Sequence, residues 1–108
     1  MERTNNVNFG KMMKQAQAMQ VKMAEMQEQL KDERVEASAG GGMVRAVVTG
    51  DMQVSSIKID PAAVDPDDIE LLEDMVTAAV NEALRSAQEL ASGKMAAITG
   101  GVNLPGLT

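Results

Sequence analysis

Phe9-Gly10-Lys11-Met12-Met13-Lys14-Gln15-Ala16-Gln17-Ala18-Met19-Gln20-Val21-Lys22-Met23-Ala24-Glu25-Met26-Gln27-Glu28-Gln29-Leu30 is the stretch that decides the fold. Within it Phe9, Met12, Ala16, Met19, Met23, Met26 and Leu30 recur at alternating spacings of three and four, the a/d seam of a heptad repeat. The remaining faces carry Lys11, Lys14, Lys22, Glu25, Glu28 and a series of glutamines, so a single narrow stripe is apolar. After Gly10 neither Pro nor Gly interrupts it, and most of its residues are strong helix formers. At about 1.5 Å per residue the helix is roughly 30 Å long. A small chain has little to set against such a rod, so the stripe predicts a partner, most simply a second copy of the chain.

The rest of the sequence supplies that small chain. Its 108 residues make one domain, and 44% of them are hydrophobic. Phe9 is the only aromatic residue, and ten methionines take up much of the apolar volume. Methionine packs adaptably and specifies shape weakly, so dimerisation is expected to add stability. Before the stripe, residues 1–8 read as a flexible start with Asn8 as helix cap. After it, Val35 and Ala37 alternate with Arg34, Glu36 and Ser38 as a half-buried strand. Gly40-Gly41-Gly42 reads as a flexible connection to a second strand, Met43–Thr49. Gly50-Asp51 is a turn signal, and Val54–Ile59 is a third strand with Ser55, Ile57 and Ile59 on one face. Short turns make the sheet an antiparallel meander.

Asp60-Pro61 ends the sheet. A second helix is predicted from Asp65-Pro66-Asp67-Asp68, where Asp65 caps and Pro66 occupies the first helical position. Its apolar positions Ile69, Leu72, Val76, Ala79, Val80, Ala83, Ala87 and Leu90 form a stripe broad enough to lie on a sheet. The helix extends to Ile98, with or without a break at Ser92-Gly93, and residues 100–108 read as a flexible glycine-rich tail. The expected fold class is therefore α+β: a long N-terminal helix, a three-stranded antiparallel β-meander and a C-terminal helix. Residues 9–99 form the domain, and the assembly is an obligate homodimer.

Charge is unevenly spread. The net charge is −6, which by itself argues against nucleic acid as a partner. Residues 1–31 nevertheless carry Arg3, Lys11, Lys14, Lys22 and Lys31 against Glu2, Glu25 and Glu28. Residues 60–82 carry eight acids and no base, and Arg85 and Lys94 outweigh Glu89 toward the end. The ends are basic and the middle is acidic.

Composition removes most chemistry. With no His and no Cys, the usual base, nucleophile and zinc ligands are missing, as are disulfides. The acids of residues 65–74 lack the spacing and loop glycine of a calcium site and suit a helix N-terminus instead. Gly93-Lys94 fails as a phosphate loop, since position 88 is Gln and position 95 is Met. No cofactor, metal site or catalytic residue is expected, and the chain is read as a non-enzyme. No apolar run approaches the 18 residues of a membrane span, and the first 20 residues hold no signal-like core, which predicts a cytoplasmic protein. The methionine stripe reads as core or dimer seam first, and as a peptide groove second. The lysines Lys11, Lys14 and Lys22, on spacing alone, read as a solvated helix face.

A resemblance adds to this. Met12-Met13-Lys14-Gln15-Ala16-Gln17-Ala18-Met19-Gln20-Val21-Lys22-Met23 resembles the opening helix of the YbaB/EbfC nucleoid-associated proteins. The glycine-rich entry to Met43–Thr49, the Ile59-Asp60-Pro61 junction, the run from Leu71 to Ala83 and Leu104-Pro105-Gly106 follow in the family's order, over Asn8 to Gly106. The resemblance implies a tweezer-like homodimer that binds double-stranded DNA in the bacterial nucleoid, compacts it and affects transcription. The family's contacts lie on projecting helices, which points to Lys11, Lys14 and Lys22, and less strongly to Arg85 and Lys94. With a charge of −6, weak and strongly salt-dependent association is the expectation. The alternative is a protein-interaction adaptor acting through the Met-rich helix, with recombination or replication proteins as partners.

Overall fold

Three six-residue strands, β1 (Arg34–Ala39), β2 (Val44–Thr49) and β3 (Val54–Ile59), pair antiparallel in chain order. They sit between two long helices, α1 (Glu2–Asp32) and α2 (Ile69–Gly100), with a short 3₁₀ turn at Pro61–Ala63 after β3. The computed structural model describes the backbone of residues 2–100 and the side chains of residues 9–100. The order helix, meander, helix is the predicted one. Helix α1 begins at Glu2 rather than Phe9. The flexible start expected at residues 1–8 falls on side chains outside the described residues, and the tail expected at 100–108 lies outside them after Gly100.

The core lies where α2 crosses the sheet. Ala79, Ala83 and Ala87, one every four residues on one helix face, are fully buried against Val44, Ala46 and Val48 of β2. Alanine has no bulk beyond Cβ, so the helix lies close to the strands. Val35, Ala37 and Ala39 of β1 flank this contact, as do Leu72, Met75, Val76, Val80 and Leu84 of α2. Fully burying Val44 or Val48 stabilises by about 1.5–3 kcal/mol each. They are the largest side chains under 2% exposed among the described residues, so the core is small.

Two glycines are required by this packing. A Cβ on Gly50 would stand 2.7 Å from the Leu30 carbonyl oxygen and 2.8 Å from its Cδ2, so the β2–β3 turn can approach the end of α1 only without a side chain. Gly40 has φ +62° and a Cβ there would run into Met75 Sδ. Gly41 and Gly42 also have positive φ, so the β1–β2 connection is a tight left-handed turn.

Other differences from the sequence reading have local causes. The cap-and-proline arrangement expected at Asp65-Pro66 occurs at Asp60-Pro61, where the Asp60 carboxylate accepts from Ala62 N at 2.9 Å and Pro61 opens the 3₁₀ turn. Residues 65–68 instead form a turn, Asp67 N donating to Asp65 Oδ1 at 2.9 Å. Asp68 caps α2 by accepting from Leu71 N at 3.3 Å. The helix then continues through Ser92-Gly93 without a break. On β3 a bulge shifts the register, so that Val54, not Ser55, stands opposite Val48, while Ile57 partners Ala46 and Ile59 partners Val44.

Only part of the α1 stripe is covered. Met26 and Leu30 are buried, Met19 and Met23 are half-buried, and Ala16, Met12 and Phe9 are exposed. The rod thus does find an internal surface, at its C-terminal end. The molecule measures 78 × 26 × 16 Å with a radius of gyration of 21.5 Å, against about 13 Å for a compact 100-residue domain. The N-terminal part of α1 projects as an arm.

Candidate nucleic-acid interface

Lys11, Lys14 and Lys22 all lie on α1 and are exposed. At about 100° per residue they share an arc of about 80°, beside the apolar stripe rather than on it. Lys11 and Lys14 sit on the projecting arm. Lys22 stands where α1 meets the end of α2, and with Lys94, Glu25, Met26 and Gln29 it lines a shallow cleft of about 270 Å³. The structure therefore brings together two bases that the sequence separates by 71 intervening positions.

The remaining predicted bases are differently placed. Lys94 is half-buried, and its Nζ lies 3.5 Å from the Glu33 carboxylate. Arg85 is exposed mid-helix and pairs with Glu82 at 2.8 Å, away from the Lys22–Lys94 cleft. Near the end of α1, Lys31 Nζ donates to Glu28 at 3.1 Å. That hydrogen bond, reinforced by the carboxylate's charge, raises the Lys31 pKa above its ordinary value. Arg34 donates to the Lys31 carbonyl at 2.8 Å and the Glu33 carbonyl at 3.1 Å, closing the C-terminus of α1.

Charge is also sorted on the sheet. All four charged strand residues, Arg34, Glu36, Arg45 and Lys58, are exposed on the face away from α2. Counted along the chain, residues 32–59 look close to neutral. The period-two alternation of strands was the available signal, since it turns Arg34, Glu36, Arg45 and Lys58 to one side and Val35, Ala37, Val44, Ala46 and Val48 to the other.

Among the described residues no cluster of three or more His, Cys, Asp or Glu could hold a metal ion. No helix among them is long and apolar enough to cross a membrane. The arrangement offers exposed ammonium and guanidinium groups on extended surfaces, suited to contacting a polyanion.

The sequence model of the YbaB/EbfC DNA-binding family matches residues 5–102. The chain belongs to the YbaB/EbfC DNA-binding family. A nucleoid-associated protein of Thermoanaerobacter sp. (strain X514) is 56% identical over 100 residues, covering 93% of this chain and 90% of that protein. One from Moorella thermoacetica is 54% identical over 99 residues, covering 92% of this chain and 95% of that protein. The crystal structure of an uncharacterized protein from Helicobacter pylori has the same fold, with a TM-score of 0.70 at 21% identity over 79% of this chain and 89% of that one. The YbaB/EbfC proteins are not an enzyme family, in keeping with a chain that has neither His nor Cys.

Proposed function

We propose that this YbaB/EbfC chain is a nucleoid-associated protein that binds duplex DNA as a homodimer, chiefly through phosphate contacts, and so contributes to nucleoid organisation and gene regulation. The observation that carries the reading is the alignment of Lys11, Lys14 and Lys22 on one side of the projecting helix α1, in a chain matched by a DNA-binding family over residues 5–102. Lysines read no bases when they contact phosphates, so binding is largely indifferent to sequence. Lys94 adds to Lys22 at the root of the arm, and Arg85 is a peripheral contributor.

Two surfaces support dimerisation. Phe9 and Met12 are each 64% exposed on the arm. Val54, Ile57 and Ile59 of β3 lie on the helix-bearing face of the sheet yet remain 41–48% exposed, because α2 covers β1 and β2 and leaves β3 open. A second copy buries both and enlarges a small core. Dimerisation also doubles every basic contact presented to the duplex.

Electrophoretic mobility shifts on random-sequence duplex, in low and moderate salt, test this reading. A shift that weakens steeply with salt on unrelated sequences is the expected result. No salt-sensitive shift at any concentration overturns it and leaves the exposed Met-rich arm as a protein-docking helix, with recombination or replication proteins as its partners.

A further inference from the structure

Like charges set directly opposite one another on a sheet cost stability, and this sheet carries such a pair. Arg45 and Lys58 are Cα partners across β2 and β3, both exposed on the face away from α2. Ser38 partners Arg45 from β1, so a row of one hydroxyl and two cations crosses the whole sheet. Glu36 lies 3.6 Å from Arg45 and neutralises part of its charge. Lys58 enters no ion pair among the described residues.

We propose that the Ser38–Arg45–Lys58 row is a second phosphate contact for duplex DNA, separate from the lysines of α1. It rests on the DNA-binding reading above. Side chains directly opposite on a sheet have Cβ atoms about 4.5–5.5 Å apart, so an ammonium and a guanidinium on long stems reach one phosphate together. Each then donates a charge-assisted hydrogen bond to a phosphate oxygen, and the anion between them turns repulsion into attraction. The surroundings favour an anion. The strands present Arg34, Arg45 and Lys58 against Glu36 alone on this face, in a chain of net charge −6. Glu70, Glu73 and Asp74 belong to α2, on the other side of the sheet. A flat face of three strands, about 10 Å across, does not enter a groove, so it contacts backbone and reads no bases.

Anisotropy titrations of two unrelated labelled duplexes over a range of KCl, with wild type, R45Q/K58Q and E36Q, decide the matter. R45Q/K58Q is expected to weaken binding several-fold on both duplexes and to lower the slope of log affinity against log salt by up to about two per protomer. E36Q, which removes the one acid of the face, is expected to tighten binding. K58Q alone is expected to weaken binding on both duplexes while melting at the same temperature as wild type or higher, because it relieves the cross-strand repulsion. That combination of lower affinity with undiminished stability is not produced by a merely structural lysine. If wild type binds and R45Q/K58Q binds with equal affinity and slope, the inference is overturned while the DNA-binding reading stands. Lys58 is then a guard against edge-to-edge pairing of β3. If R45Q/K58Q does not fold, E36Q decides, and unchanged or weaker binding overturns the inference. Absence of salt-dependent binding by wild type overturns both.

Discussion

Met26 and Leu30 are 7% and 5% exposed, whereas Met12 and Phe9, two and three heptads earlier on the same stripe, are both 64% exposed. The repeat and the residue types are alike at the two ends of α1. What differs is the surface opposite. At the C-terminal end the β2–β3 turn closes on Leu30 through Gly50, and α2 runs alongside, lining clefts with Met26. At the N-terminal end none of the described residues covers Phe9 or Met12. One periodicity thus provides an anchor inside the subunit and an arm outside it, and only the arm is available to a second copy.

The largest effect expected from this comparison is on folding. Leu30→Ala removes a buried side chain and leaves a cavity, costing about 2–5 kcal/mol. Met12→Ala at the exposed end costs no more than about 0.5 kcal/mol in an isolated chain. Urea unfolding at several protein concentrations measures both. The Leu30→Ala cost should be the same throughout, and a Met12→Ala cost should emerge only at concentrations where chains pair. Equal costs for the two at high dilution would erase the distinction between anchor and arm.

The boundary between the two halves falls at Met19 and Met23, which are half-buried. Replacing both with Lys puts charges into the proposed seam, and unpaired charges are costly to bury. Sedimentation should then show dissociation into monomers. A double variant that sediments as a folded dimer removes the seam and moves the interface to the uncovered side of β3.

A smaller effect is expected from the lysines. Lys14→Ala on the arm and Lys22→Ala at its root should weaken DNA binding about equally on unrelated sequences. Each should reduce the slope of log affinity against log salt by up to about two, since a dimer doubles every contact. Replacing Asp67 and Asp68 with Asn should leave the slope unchanged or strengthen binding. Should Lys22→Ala matter and Lys14→Ala not, the DNA lies in the cleft that Lys22 shares with Lys94 rather than along the arm.

These contrasts bear on what a single sequence discloses. Element types and order were legible because the period changes from 3.5 to 2 and back, and Gly40-Gly41-Gly42, Gly50 and Pro61 punctuate the changes. The exact start of α2 was not, because Asp60, Asp65 and Asp68 can each cap, and in the fold Asp60 caps the 3₁₀ turn, Asp65 a turn and Asp68 the helix. The β3 bulge was hidden because Val54, Ser55 and Ser56 fit either register until β2 fixes one. For the candidate interface, Lys11, Lys14 and Lys22 were legible as a helix face. The approach of Lys94 to Lys22 was not, as it depends on how α2 crosses the sheet. Arg45 and Lys58 do not stand out when charge is counted along the chain, where Asp32, Glu33, Glu36 and Asp51 offset Arg34, Arg45 and Lys58.

The smallest expected effect is a null, and it separates phosphate contact from a titrating switch. The sequence has no histidine, the side chain whose ordinary pKa lies between pH 5 and 8, and no cysteine. Near the end of α1, Lys31 has its pKa raised by its hydrogen bond to Glu28. A raised lysine pKa contributes stability that is fully present below the ordinary value of 10.5 and is lost only as pH rises through the higher folded-state value. Both lie well above neutrality, so Lys31 is charged throughout the range from about pH 6 to 8. Affinity for duplex DNA, measured at fixed ionic strength, is therefore expected to stay nearly constant across that range. Varying salt at fixed pH should move it by far more. A tenfold change with pH would require a titrating group at the contact, in a sequence without histidine or cysteine, and the phosphate-contact reading would fail at both surfaces together.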